Sequence, residues 1–334
     1  MIEIFARSEA MREAVRLAKR VAATDANVLV TGESGVGKDA LAFYIHSNSP
    51  RASQSFVKID CATLPSDLLE AELFGFERGA FTSAIEAKPG RLEAAHRGTF
   101  VLDEIAYLSV DSQAKLLRVI ETREFERLGG RRTIKVDARL IALTNVDLGD
   151  AVKRHDFRED LYYRLNVVHI HVPPLRERAE DLSQLAQSFL KTYATKHGRQ
   201  VSAIAPGALS LLEEYDFPGN VRELANTIER AAIISAGKRI EVSDLPEALR
   251  AAVQIQRKRE RPQSLAELEA EYVAQTLAAT NGNKTKAARI LGISRKNLYE
   301  RLAQPKKGQG DTEMDRAGGS ARVYKADKPF SKVN

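Results

Sequence analysis

Residues 28–45 read VLVTGESGVGKDALAFYI. A short apolar, β-branched run leads into a turn containing Gly32, Gly35 and Gly37, and a helix-forming segment follows. In a strand–loop–helix of this kind, backbone N–H groups curl around phosphate oxygens and the helix dipole adds to their pull. Gly32, Glu33, Ser34, Gly35, Val36 and Gly37 supply the cradle, and Lys38 offers a cation to the β and γ phosphates. The next position usually holds Ser or Thr, whose hydroxyl binds magnesium. Here it is Asp39, a short carboxylate able to hold the metal through water. Taken alone, the segment also fits a glycine-rich structural turn.

A second element narrows the choice. GTFVLDEI, residues 98–105, is an apolar strand ending in Asp103 and Glu104. Acids at the C-terminal end of a strand face the crevice where open α/β sheets bind ligands. Asp103 is assigned to magnesium and Glu104 to the attacking water; two solvated strand-end acids are the plainer reading. ATP with Mg2+ is the expected cofactor pair, with Asp39 and Asp103 as the metal's protein ligands, partly through water. Charge developing on the γ-phosphate needs cations. FREDLYYRL offers Arg158 and Arg164, as fingers in cis or in trans, or as solvated surface arginines. Arg222, at the start of a helix in FPGNVRELAN, is placed to report nucleotide state, and Thr144 and Asn145 end another strand beside the same crevice.

Around these motifs the 334-residue chain organises itself. Strand candidates FVKID, TFVLD, ARLIALTN and NVVHIHV alternate with helical patterns over residues 1–174. Such nearly continuous apolar runs predict a largely parallel sheet covered on both faces. Residues 175–250 read as a small all-helical domain, 251–263 as a basic linker, 264–304 as a third helical unit and 305–334 as a disordered tail. Net charge is +6, from 51 Lys and Arg against 45 Asp and Glu, and Cys61 stands alone, which excludes an intrachain disulfide framework. No apolar run has membrane-spanning length and the N-terminus lacks a signal-peptide pattern, so a cytoplasmic protein is expected. His169 and His171 share a strand face without a converging acid or cysteine, which argues against a metal site there.

Two further stretches carry partners. ELFGFERGAFTSA, residues 72–84, sets Phe81 among small residues between two helical patterns. Gly79, Ala80, Phe81, Thr82, Ser83 and Ala84 read as a projecting turn whose aromatic moves as a unit, or as a core Phe with local turn residues. NKTKAARILGISRKNLYERL, residues 283–302, is two short helices joined at Gly292–Ile293–Ser294. Ala287, Ala288, Ile290 and Leu291 pack before the turn, Leu298 and Leu302 after it, and Ser294 caps the second helix. Lys284, Thr285, Ser294, Arg295, Lys296, Asn297, Tyr299 and Arg301 are the candidate double-stranded DNA contacts of a helix-turn-helix. Helix 264–280 is expected to pack a dimer, which predicts a palindromic site; a solvated basic hairpin is the alternative.

Together GESGVGKD, ELFGFERGAFTSA, GTFVLDEI, FREDLYYRLNV, PPLRER and FPGNVREL make the chain resemble the bacterial enhancer-binding proteins, over residues 1 to about 304. These are AAA+ activators that remodel RNA polymerase bearing sigma-54, and the C-terminal unit resembles their Fis-type module. The resemblance implies an AAA+ P-loop three-layer α/β domain, a helical lid and a helix-turn-helix domain. It implies a ring, usually hexameric, with ATP between subunits. Lys38, Asp103 and Glu104 would serve one subunit's site, Arg158 and Arg164 the neighbour's, and Arg222 would be the second-sensor arginine. The Gly79–Ala84 loop would contact sigma-54, through Phe81 and Thr82, and hydrolysis would open the closed promoter complex.

Two positions depart from the family pattern. Ser83 stands where the family usually has glycine, and Asp60 where it often has an asparagine that restrains the water-activating glutamate. A carboxylate at Asp60 cannot donate that hydrogen bond unless protonated. A DNA-binding regulator that uses ATP for assembly alone, without productive sigma-54 contact, is the second reading. Family members usually carry an N-terminal receiver or sensor domain. Here the ATPase begins almost at once, so a separate regulatory protein or a longer parent chain is expected.

Overall fold

The structure is a computed structural model that describes residues 4–82, 84–260 and 265–303. Ser83 and the 305–334 tail lie outside the described residues. The chain divides near Lys258 into two compact units.

The first unit opens with α1 (Glu9–Ala22), β1 (Val28–Thr31), α2 (Lys38–Ser47), β2 (Phe56–Asp60) and α3 (Ser66–Phe74). A two-residue-per-strand hairpin, β3 (Gly75–Phe76) with β4 (Lys88–Pro89), precedes α4 (Arg91–Ala94) and β5 (Thr99–Asp103). Next come α5 (Val110–Thr122), a second hairpin of β6 (Glu124–Glu126) and β7 (Thr133–Lys135), and β8 (Arg139–Thr144). Helices α6 (Leu148–Lys153) and α7 (Glu159–Leu165) lead to β9 (Val168–His171).

Five strands form one sheet in the order β2-β5-β8-β1-β9, every neighbouring pair parallel. Side chains alternate across it, as the two-residue period of a strand requires. Val28, Val30, Val101, Ile141 and Leu143 pack with Met11, Leu41 and Ile45 of α1 and α2. Leu29, Phe100, Leu102, Leu140 and Ala142 pack on the other face with Leu69, Leu73, Leu116 and Leu161. Both faces are covered, so the strand interiors are mostly apolar, the polar residues gather toward the strand ends and the two edge strands, and all the C-terminal ends open on one edge. At the opposite edge the buried Arg139 guanidinium donates to Val21 O (2.8 Å) and Ala22 O (3.1 Å), closing the last turn of α1.

The lid consists of α8 (Ala179–Lys196), α9 (Pro206–Glu213), α10 (Asn220–Ile234) and α11 (Glu247–Glu260) around Leu182, Leu190, Leu212, Phe217, Leu224, Ile228 and Leu249. It is not wholly helical: β10 (Ala203–Ile204) pairs in parallel with β11 (Arg239–Ile240). The expected linker is also revised. Residues 251–260 continue α11, because Val253 is 1 % exposed in the lid core and the Arg257 guanidinium forks onto Glu214. One apolar residue per two turns is enough to seat this segment, and the surrounding charges hide it from a pattern search.

The second unit contains α12 (Leu265–Ala279), α13 (Lys284–Ile290) and α14 (Arg295–Ala303). Its core is Val273, Ala287, Ala288 and Leu298, with Leu277, Leu291 and Ile293 against it. Ile290 and Leu302, expected inside, are 54 % and 43 % exposed. Three short helices enclose too small a core to bury every apolar position.

Val253→Asp would place an unpaired charge in the lid core and should cost about 3–5 kcal/mol in urea unfolding. Gln254→Asp, one position away on the exposed side of α11, should cost under about 0.5 kcal/mol. Equal losses would return residues 251–260 to the status of a linker.

Candidate functional site

The turn after β1 is shaped by its glycines. Gly35 and Gly37 have φ of 78° and 103°, in the left-handed region where a side chain is strained. Gly35 also has no room for one: a Cβ there would stand 2.4 Å from Gly219 O in the lid. The loop therefore turns tightly beneath the lid, and α2 begins at Lys38 with its first N–H groups facing the cleft. Lys38 is 7 % exposed and folds back on this turn, donating to Gly32 O (2.8 Å) and Glu33 O (3.3 Å). Its ammonium lies 3.6 Å from Glu104 Oε1.

Ser34, Gly35, Gly37, Lys38, Asp39, Asp103, Glu104, Val221 and Arg222 line one cleft of about 200 Å³. A roomier groove on the lid, lined by Phe5, Gln187 and Arg199, has no convergent acids, so size does not locate the site. Glu104 has φ 52° and ψ 50°, a left-handed conformation costing a non-glycine residue about 1–3 kcal/mol. The reward is position: Oε2 accepts from the Asn145 N–H at 3.1 Å, just past the end of the neighbouring strand β8. Arg222 reaches in from the first turn of α10. Its Nη1 donates to Ser34 Oγ (3.1 Å) and its own N–H donates to Gly35 O (3.2 Å).

Lys58 completes the cleft and has no counterpart in the sequence motifs. Its ammonium stands 2.7 Å from Asp103 Oδ2 and 2.5 Å from Asp39 Oδ1. Burial opposes its charge, but hydrogen bonds to Asp103 and Asp39 outweigh that and raise its pKa. Beneath the acids, Cys61 is buried, and burial with the charges of Asp60, Asp103 and Glu104 pushes its thiol to about 12, an inert state.

Other predicted residues lie elsewhere. The Asp60 carboxylate accepts from the Ala62 N–H (2.9 Å) and caps the turn leaving β2. An aspartate two residues before a free N–H makes this local bond readily. Arg158 and Arg164 bracket α7 with side chains 39 % and 61 % exposed, paired to Asp160 and Glu121, and neither lines this chain's cleft. The Asn145 side chain is exposed, and only its backbone joins Glu104.

The Phe81 turn crowns the β3–β4 hairpin. The N–H of Gly79 (φ 83°) donates to Ala84 O at 2.8 Å, and the Phe81 ring sits 4.8 Å from Phe76 yet stays 39 % exposed. Ala80 abuts Gly129 of the second hairpin, and Arg127 ties Glu77 (3.1 Å) to Glu93 (2.8 Å). In the second unit, Ser294 Oγ caps α14 by accepting from Asn297 N (3.1 Å). Lys284, Thr285, Arg295, Lys296 and Tyr299 are exposed, with Lys284 Nζ 4.6 Å over the Tyr299 ring. Arg301 is instead engaged by Asn297 and Glu269, so it is less free than its position implied.

Residues 4–171 match the Sigma-54 interaction domain family, 176–262 the AAA+ ATPase lid domain and 264–304 the Fis family of bacterial regulatory proteins. The chain belongs to the sigma-54 activators. It is 45 % identical over 309 residues to the regulatory protein AtoC of Escherichia coli, covering 90 % of this chain and 67 % of AtoC. It is 42 % identical over 314 residues to FlbD of Caulobacter vibrioides, covering 89 % and 69 %. Crystal structures of NtrX from Brucella abortus in complex with ATP and with ADP superpose with TM-scores of 0.68 and 0.69, at 35 % and 34 % identity, over 90 % of this chain and 68 % of NtrX.

In this sigma-54 activator the lid is fastened to the phosphate loop by residues to which the sequence motifs assign no such role. Arg176 forks onto Glu33 at 2.6 and 2.9 Å, and the buried Asn220 donates to Glu33 Oε2 (3.0 Å) and Ser34 O (3.1 Å). Arg178 donates to Val36 O at 2.5 Å. The available signal was PPLRER itself: two arginines at i and i+2, just after the last sheet strand, beside the loop. The Arg176 fork, then the Asn220 amide, hold Glu33 well below the usual carboxylate range, at about 2. A depressed carboxylate stabilises fully above its unfolded value of 4.5, and the contribution fades as pH falls toward about 2. Glu33→Gln should lower the melting temperature by a few degrees at pH 7, with the difference from wild type shrinking at pH 3. A difference that grows as pH falls would overturn the clamp.

Proposed function

We propose that this activator hydrolyses ATP in the Lys38–Asp103–Glu104 cleft and uses the cycle to move the Phe81 hairpin against sigma-54, converting closed polymerase–promoter complexes to open ones. The observation that carries the reading is the convergence of these three side chains under a lid arginine, within a chain that matches the Sigma-54 interaction domain family. The nucleotide-bound NtrX structures support ATP as the ligand.

Chemically, the roles follow from charge and position. Lys38 and the N–H groups of the loop and of α2 bind the β and γ phosphates. Glu104, oriented by the Asn145 N–H, takes the proton of the attacking water. Asp39 and Asp103 already converge on one ammonium, so their oxygens fit a cation, and Asp103 would hold magnesium directly with Asp39 acting through water. Among the described residues no cluster of three or more His, Cys, Asp or Glu forms a cage. Magnesium, when bound, would be held by these few protein oxygens and would neutralise phosphate charge. Arg222 senses the nucleotide from the lid.

Arg158 and Arg164, exposed and away from their own cleft, fit fingers presented to a neighbouring subunit in a ring, which we take as a hexamer built from dimers. The Fis-type unit binds an upstream palindrome. No described helix is long and apolar enough to cross a membrane, and a cytoplasmic location suits a partner of polymerase.

Glu104→Gln should still bind ATP while turnover falls about 10²–10⁴-fold, whereas Lys38→Ala should lose binding. Mixing Lys38→Ala with Arg158→Ala subunits should recover hydrolysis that neither shows alone, because each supplies what the other lacks. No recovery would sink the fingers in trans. Phe81→Ala should abolish open-complex formation at a sigma-54 promoter and leave ATP turnover within about twofold. Wild-type protein that activates no sigma-54 promoter, or a housekeeping promoter equally, would favour ATP-controlled assembly alone.

A further inference from the structure

Lys58 is on an edge strand, one residue before Ile59, and the strand's alternation decides where it points. Val57 and Ile59 join the core on the α3 side, while Phe56 joins the α1–α2 side. Lys58 shares the Phe56 face, where the other inward strand positions are Val28, Val30, Val101, Ile141 and Leu143. A lysine on such a face must carry its ammonium to the rim, and the rim here is the N-terminus of α2 and the end of β5. There the ammonium meets Asp39 at 2.5 Å and Asp103 at 2.7 Å, with its side chain 35 % exposed. Two carboxylates from separate elements thus converge on one positive charge, at the place assigned above to a divalent cation.

We propose that Lys58 is a built-in counter-ion that stands in for the metal in the nucleotide-free site and must leave Asp103 before the metal–nucleotide complex can seat. Without it, Asp39 and Asp103 would face each other with no cation of their own, beside a Glu104 whose nearest charge is Lys38, and like charges at this range repel. With it, the two acids share one positive charge, and an entering metal has to displace an ammonium that already pairs with both of them. Lys58 therefore lowers metal affinity and confines tight metal binding to the moment when phosphate oxygens arrive with the metal. This inference rests on the nucleotide-site reading above.

The test uses the full chain and Mn2+ as the probe, with free Mn2+ followed by its electron paramagnetic resonance signal, in the absence and presence of ADP. Lys58→Met, which keeps the length and removes the charge, should bind Mn2+ about tenfold more tightly than wild type without nucleotide, with a smaller gain when ADP is present. Lys58→Arg should stay within about twofold of wild type. With no metal added, Lys58→Met should melt below wild type, and Mn2+ should raise its melting temperature more than it raises that of wild type. Should Lys58→Met fail to fold, Lys58→Gln carries the same expectation. Equal or weaker Mn2+ binding by the uncharged variants overturns the role of Lys58 alone. An arginine variant as tight as the methionine one overturns the role of its charge. Absence of Mn2+ uptake by every protein, even with ADP, overturns the nucleotide-site reading as well.

Discussion

The phosphate loop depends on being held from the lid side. Its glycines permit the turn but cannot fix it, because a glycine-rich segment is the most conformationally free the chain can write. Rigidity arrives from contacts far along the sequence: Arg176 and Asn220 on Glu33, Arg178 on Val36 O and the Arg222 N–H on Gly35 O. Gly219 O packs so close to Gly35 that no Cβ could intervene. The lid is therefore part of the binding loop, not a cap resting above it. A change at the phosphates must move the lid or break these bonds, which is the mechanical requirement for a protein whose nucleotide state is to be felt elsewhere.

The parallel sheet supplies the other half of the site. Because all five strands run the same way, the residues following β1, β5 and β8 are delivered to one edge. Asp103 ends β5, Glu104 turns left-handed immediately after it, and the Asn145 N–H beyond β8 catches the Glu104 carboxylate. Backbone strain at Glu104 is tolerable since Ile105 behind it is fully buried and the flanking strands fix its ends.

How much of this was legible in the sequence follows from the range of each signal. The strand–loop–helix at 28–45, the strand ending in two acids and the switch to helical periodicity after Pro174 are local patterns, and the fold class could be read from them. What could not be read depends on pairings over long separations. Lys58 finds Asp103 across a neighbouring strand, and Arg176 finds Glu33 over 143 residues. Neither partner choice leaves a trace in local composition. Residue polarity also misled in both directions. The run around Arg257 looked solvated although Val253 beneath it is core, and Ile290 and Leu302 looked like core although a three-helix unit has no space for them. Asp60 was tied to Glu104 only by what the resemblance implies; its local bond to the Ala62 N–H is the one the turn itself supplies.

The same covalent path ties the cleft to Phe81. Strand β2 carries Lys58 on the acids and ends at Asp60, whose cap shapes the turn into α3. Helix α3 runs straight into β3, and the hairpin that follows bears the Phe81 turn. Leu69 and Leu73 bury α3 in the sheet core, so the helix can shift as a body more easily than it can bend. At the far end the turn is held by modest contacts: Phe81 on Phe76, Ala80 against Gly129, and Arg127 bridging Glu77 and Glu93. Phe81 remains partly exposed even in this packed position. On the reading proposed above, α3 would link the charge-balanced cleft to the lightly docked aromatic, so that a change of charge at one end could be felt at the other.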